Sequence, residues 1–178
     1  MSNVPDTEVA VTIRSYRPTD HLACRGLWAQ FTEEHRRLYS DPTIGGEDPG
    51  AAFEEYLTRL DLSGMWVAEH AEDGVVGFVG LVLSDQVAEG VVEPVVVHEA
   101  HRHHGIGRAL LGKVAAEAQR RRLSRLTISP VSRNLDAIRC LHSVGYTVLS
   151  SVTLSLDVSN RNHDWRDGVD LHGLRFSY

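Results

Sequence analysis

Cysteine, long apolar runs and positive charge are all scarce in this chain. Only two cysteines, Cys24 and Cys140, occur in 178 residues, too few for a disulfide framework or a four-cysteine zinc site, and a reducing cytoplasm suits them. No apolar stretch approaches the roughly 20 residues that span a bilayer. The opening MSNVPDTEVA has neither a basic start nor an apolar core, so the expectation is a soluble, cytoplasmic protein with no membrane partner. Lys and Arg number 18 against 24 Asp and Glu, a formal charge of -6. Binders of a phosphate backbone carry the opposite field, which argues against nucleic acid as a partner. Repeats and low-complexity tracts are absent too.

What is present suits one globular domain of ordinary core size, with 42% hydrophobic and 24% charged residues. Val9, Val11 and Ile13 alternate with polar or small residues, the period-2 pattern of a strand. Pro18-Thr19-Asp20 then starts a helix with Ala23, Leu27, Trp28 and Phe31 on one side. After the turn-rich SDPTIGGEDPG, a short helix carries Phe53, Tyr56, Leu57 and Leu60. MWVAEH and VVGFVGLVLS read as a hairpin joined through residues 71–74. VVEPVVVH (91–98) is a strand, 105–122 a helix, RLTIS a strand, 134–144 a helix, and YTVLS and SVTLSLDV further strands. VDLHGLRFSY reads as one more, with Leu174, Phe176 and Tyr178 on a face that leaves a homodimer open. The expected organisation is a tail (1–8), a domain (9–158) and an extension (159–178). The expected fold class is mixed α/β, a central twisted mixed sheet of about six to seven strands flanked by about four helices.

Residues 101–113, HRHHGIGRALLGK, crowd three histidines and an arginine against two glycines where a helix begins. Ile106, Leu110, Val114 and Ala118 recur at i, i+4 and define its buried stripe, so Gly105 and Gly107 fall in the first turn. Helix starts leave N–H groups unpaired and carry about half a positive charge, and glycine lets an anion approach the backbone. A phosphate fits, with Arg102 adding a cation and His103 and His104 further donors. The bland alternative is a strand-to-helix turn with solvated side chains. GRALLGK lacks the Ser or Thr that a P-loop needs after its lysine, since Val114 stands there. Leu110 stands where a dinucleotide fingerprint needs glycine. His98, His101, His103 and His104 have no confirming ligands nearby, so no metal is expected.

EPVVVHEAHRHHGIGRALL, followed by LTISPVSRNLDAIRCLHSVGYTVL, resembles the GNAT superfamily of N-acetyltransferases, with the strand, the R-x-x-G-x-G turn and the N-x-x-A...GY segment in order. The resemblance implies acetyl-CoA as co-substrate. It implies that the backbone of Val95, Val96 and Val97 pairs with the pantetheine arm. The turn His103, His104, Gly105, Ile106, Gly107 and Arg108, with Arg102 beside it, would hold the diphosphate, and Asn134 would contact the cofactor arm. Asn134 also reads as an N-cap and Gly145 as a helix stop. The reaction implied is attack of a neutral amine on the thioester, with strand N–H groups stabilising the oxyanion.

Because an alkylammonium has a pKa near 10.4, only about one molecule in 10³ is neutral at pH 7 and a base helps. Glu93 is the candidate catalytic base, on the same strand face as Val95 and Val97 if alternation holds, while Pro94 signals a bulge or bend. A solvated edge carboxylate is its plainer reading. The chain departs from the family at Leu141, where many members carry a tyrosine that protonates the thiolate. It departs again at Ser129, where relatives that acetylate protein N-termini carry a glutamate. His142 and Tyr146 are poorly placed to replace the acid, and Tyr39 is one alternative. Two functions therefore stay open: an N-acetyltransferase acting on a primary amine of a small molecule or peptide, and a non-catalytic acyl-CoA-binding module. The acidic stretch with Glu33, Glu34, Asp41, Glu47, Asp48, Glu54 and Glu55 would suit a cationic acceptor, or be a solvated face.

Overall fold

The computed structural model describes residues 11–60, 64–83, 88–158 and 165–178. The expected tail 1–8, Val9 and Ala10 of the first strand, Asp61, Ser84 and residues 159–164 of the polar C-terminal loop lie outside them. The chain divides into two compact units, Met1–Ser129 and Pro130–Tyr178.

The first unit runs β1 (Val11–Ser15), α1 (His21–Tyr39), α2 (Ala52–Arg59), β2 (Met65–His70), β3 (Gly74–Leu83), β4 (Glu89–Val97), α3 (Ile106–Arg120) and β5 (Arg125–Thr127). Its sheet has the order β1-β2-β3-β4-β5, antiparallel throughout except for the parallel β4–β5 pair. Residues opposite one another across a ladder share a face, so the register sorts the two layers. The row Val67–Phe78–Val96 lies with Cys24, Leu27 and Trp28 of α1 and Phe53 and Tyr56 of α2 in one buried cluster. The row Trp66–Val79–Val95 lies on the other side, where Lys113 of α3 sits 6.0 Å over the Trp66 ring. The α3 stripe is buried as its periodicity predicts, with Ile106, Leu110 and Val114 at 1% exposure or less.

The entry to α1 is fixed by charge. Buried Asp20 accepts from the Arg17 amide at 2.8 Å and from the Arg14 guanidinium at 2.7 and 2.9 Å, while Arg14 also bonds Glu69 at 2.8 and 2.9 Å. Arg14 holds the Asp20 carboxyl below its ordinary range, with the Arg17 amide in support.

The second unit contains α4 (Leu135–Ser143) and an antiparallel hairpin of β6 (Asp167–Leu171) and β7 (Leu174–Ser177). Asn134 caps α4, its Oδ1 accepting from the Ala137 amide at 3.0 Å. Gly145, at φ 102°, ends the helical path. His172 and Gly173, both at positive φ, make the two-residue turn that twists with its strands. VDLHGLRFSY is thus a turn between two strands rather than one strand.

The fold class is the expected mixed α/β; among the described residues there are four α-helices, but the central sheet has five strands rather than six or seven. Residues 146–158 form no strand, and the alternating Val152, Leu154, Leu156 and Val158 are 55 to 88% exposed. Alternation says which face of a strand would be covered, but a strand exists only where a neighbour takes its backbone N–H and C=O groups. Among the described residues no strand forms a ladder with 146–158, and β6 and β7 pair with each other.

Candidate active site

Strand β4 changes character along its length. Glu89, Gly90 and Val91 pair with Arg125, Leu126 and Thr127 of β5 on one side, while Val91 and Gly90 pair with Val82 and Leu83 of β3 on the other. From Val92 to Val97 the only ladder partner among the described residues is β3. The backbone on the β5 side of Val95, Val96 and Val97 therefore lies along a gap in the sheet.

A bulge marks the change. Leu81 pairs with Val92 and Val79 with Val95, so β4 spends one residue more than β3 at Glu93 and Pro94, whose peptide is cis. The bulge expected from Pro94 is present. Its consequence overturns the expected facing of Glu93. An extra residue reverses the parity of the side chains beyond it, so Val95 and Val97 face the α3 layer while the Glu93 carboxylate meets α2.

Two residues of α2, one helical turn apart, hold the bulge. The Tyr56 hydroxyl donates to the Glu93 carbonyl at 2.5 Å, and the Arg59 Nη2 bonds Glu93 Oε1 at 3.0 Å. Tyr56 reaches the carbonyl because residue 80 is glycine. A Cβ there would lie 1.6 Å from the hydroxyl and 2.6 Å from the Glu93 oxygen. Burial, reinforced by the Glu93 charge, raises the Tyr56 phenol above its ordinary range, so it stays a donor. Sequence reasoning placed Tyr56 on a core helix and missed Arg59. Their i, i+3 spacing was the available signal, but nothing in it says which strand the helix meets.

The glycine turn follows. A 3-10 turn, Glu99–His101, leads to His103 and Gly105, both in the left-handed region at φ 65° and 79°, and α3 starts at Ile106. Its first internal bond runs from the Ala109 amide to the Gly105 carbonyl at 3.0 Å. The amides of Ile106, Gly107 and Arg108 thus precede the helical ladder, the arrangement that accepts an anion. Gly105 is exposed and nothing lies within 4 Å of the position its Cβ would occupy. His103, His104 and Arg108 are exposed and Ile106 is buried. Arg102 does not reach out as expected: its Nε donates to the Val97 carbonyl and its Nη1 bonds Glu34 of α1, both at 3.2 Å. The cation fastens the turn to the end of β4 and to α1.

The acidic stretch is largely spoken for. Glu33 pairs with Arg36, Glu34 with Arg37 and Arg102, and Asp48 and Glu54 with Arg25. In the second unit the Asn134 oxygen is committed to its cap, Leu141 is buried, and His142 is exposed. The Tyr146 hydroxyl is shielded without a hydrogen-bond partner among the described residues, and burial raises its phenol. No group of three or more His, Cys, Asp or Glu side chains among the described residues is arranged to hold a metal ion, and no described helix is long and apolar enough to cross a membrane.

A valine-rich strand that parts from its neighbour beside a glycine-rich helix start defines an acetyltransferase architecture. The chain belongs to the acetyltransferase (GNAT) family, whose model matches residues 27–146. It is an acetyltransferase with acetyl-CoA as co-substrate. The chain is 28% identical over 146 residues to an L-methionine sulfoximine/L-methionine sulfone acetyltransferase of Salmonella typhimurium, covering 80% of this chain and 83% of that one. Its fold matches a GNAT acetyltransferase of Staphylococcus aureus with a TM-score of 0.63 at 18% identity, over 76% of this chain and 84% of the other. It also matches a candidate acetyltransferase of Salmonella typhimurium solved with acetyl-CoA, with a TM-score of 0.59 at 24% identity over 94% and 89% of the two chains.

Proposed function

We infer that this chain moves an acetyl group from acetyl-CoA to a primary amine of a small molecule by direct attack on the thioester. The observation that carries the reading is the gap beside Val92–Val97 leading toward the exposed glycine turn. An extended amide-bearing arm can pair with the backbone of Val95, Val96 and Val97 there. The amides of Gly105, Ile106, Gly107 and Arg108 suit its diphosphate, with His103 and His104 at the rim. Arg102 supports this site by fixing the turn. A role for Asn134 beyond its cap rests on the family resemblance. The name of the Salmonella relative, an acetyltransferase of amino-acid derivatives, favours a small molecule over a peptide.

In the reaction the amine nitrogen bonds to the thioester carbonyl carbon, the carbon–sulfur bond breaks, and the amine gives up a proton. Glu93 takes that proton directly or through water; its carboxylate is half-exposed beside the bulge, and its carbonyl is pinned by Tyr56. Leu141 offers no proton to the sulfur. A thiolate with a pKa near 8.5 still departs, so the missing acid slows the step without stopping it.

The test is release of CoA from acetyl-CoA across an amine panel, above the hydrolytic background. Glu93→Gln should lower the maximal rate by about 10² or more near neutral pH, and the defect should shrink as pH rises and free amine accumulates. Tight acetyl-CoA binding with no turnover on any amine favours the non-catalytic module, and a pH-independent loss makes Glu93 structural.

A further inference from the structure

Only alternate residues of an antiparallel strand turn their backbone N–H and C=O groups toward a given neighbour, so the open side of β4 can be read group by group. The His98 amide donates to the Val76 carbonyl at 2.8 Å, which makes Val76 and His98 a hydrogen-bonded pair. The register Gly77–Val97, Phe78–Val96 and Val79–Val95 then turns the backbone of Val96 toward β3 and that of Val95 and Val97 toward the gap. Two strand acceptors therefore face the gap, the carbonyls of Val95 and Val97, two residues and about 6.8 Å apart. They are not equivalent. The Arg102 Nε donates to the Val97 carbonyl at 3.2 Å, and Glu34 of α1 holds the same guanidinium through Nη1, also at 3.2 Å. The Val95 carbonyl is left as the acceptor for a ligand.

Resting on the acetyltransfer reading above, we propose that Arg102 is a positioning residue that sets the register of the acetyl-CoA arm on β4. An arm amide that gives its N–H to the strand has two carbonyls to choose from, and pairing at the wrong one moves the whole arm by one strand repeat. The thioester then lies about 6.8 Å from its productive place, well beyond the roughly 3 to 3.5 Å across which an amine attacks. By taking the Val97 carbonyl, Arg102 leaves that N–H only Val95. The role uses one N–H of Arg102 and not its charge, and Glu34 keeps that N–H aimed.

Two variants separate the N–H from the charge. Arg102→Gln puts an amide nitrogen the same number of bonds from Cα as Nε, keeping the donor and losing the charge; Arg102→Met puts a methyl there and loses both. On the full chain, calorimetry reads acetyl-CoA affinity. The NMR resonance of bound acetyl-CoA labelled at the thioester carbonyl carbon reads where the arm lies, and CoA release at saturating acetyl-CoA with the best amine of the panel reads turnover. Arg102→Gln should leave all three near their values in the unchanged protein. Arg102→Met should bind acetyl-CoA at least as tightly, because the arm gains an acceptor, yet shift the resonance and lower the maximal rate about tenfold. An unshifted resonance in Arg102→Met, or acetyl-CoA binding weakened alike in both variants, overturns the proposal. Failure of the acetyltransfer reading looks different: the resonance still shifts in Arg102→Met alone, and neither the unchanged protein nor either variant releases CoA with any amine.

Discussion

The two halves of β4 are built from the same kind of residue and do different things. Gly90 and Val91 have strands on both sides; Val95, Val96 and Val97 have one. Between them a single extra residue bends the strand, and α2 secures the bend through Tyr56 and Arg59. A valine run that is filler in one half has a ladder partner on one side only in the other. Function here comes from which hydrogen bonds the sheet leaves unmade, and the side chains mainly keep that gap open.

The largest effect should come from filling the far end of the open half with charge. Gly107→Asp places a carboxylate where a diphosphate is to lie. Like charges a few ångström apart near a surface cost roughly 4 kcal/mol, about 10³-fold in acetyl-CoA affinity. The free protein should melt no lower than the unchanged one, because an acidic residue suits a helix start. Calorimetric titration beside a thermal melt checks both; unchanged affinity would remove the diphosphate from the turn.

The next break is at the bulge. Gly80→Ala drives a methyl into the Tyr56 hydroxyl and the Glu93 carbonyl. It should cost about 3 kcal/mol through overpacking and a lost hydrogen bond. Tyr56→Phe removes only the donor and should cost about 1 to 3 kcal/mol, roughly 2 to 4 °C of melting temperature per kcal/mol. An intact melting point in both variants would mean that α2 does not hold the bulge.

The smallest effect sharpens the comparison from outside. Hydrogen bonds from Arg120, first, and Arg121 lower the Glu117 carboxyl near the end of α3 to about 2. A depressed folded-state value contributes stability above the unfolded value, near 4.3, and loses it as pH falls from there toward 2. Glu117→Gln should flatten the acid side of the stability curve within that window and leave acetyl-CoA affinity unchanged. An altered affinity would mean that the far end of α3 is coupled to the turn.

Much of this was legible in the sequence because it is local. The α3 stripe, the Asn134 cap, the Gly145 stop, the β2–β3 hairpin and the Pro94 bulge each follow from residues within a few positions of one another. What was not legible depends on partners far apart in the chain. The side of the sheet on which Glu93 emerges follows from the β3 register, 14 residues away at Val79, which alternation within β4 cannot reveal. Arg102 was assigned to an anion because the helix start is its sequence neighbour, but Glu34 of α1 claims it. Residues 151–158 carry the same alternation as β1, yet among the described residues only β1 has a strand paired with it.

Amide hydrogen exchange with and without acetyl-CoA tests the central claim most directly, because it reads the two halves of β4 in one experiment. Added acetyl-CoA should slow exchange at residues 95–97 and at 105–108, while Gly90 and Val91, already paired on both sides, should stay as they were. Protection that leaves 95–97 and 105–108 unchanged, or that falls equally on Gly90 and Val91, would contradict the account.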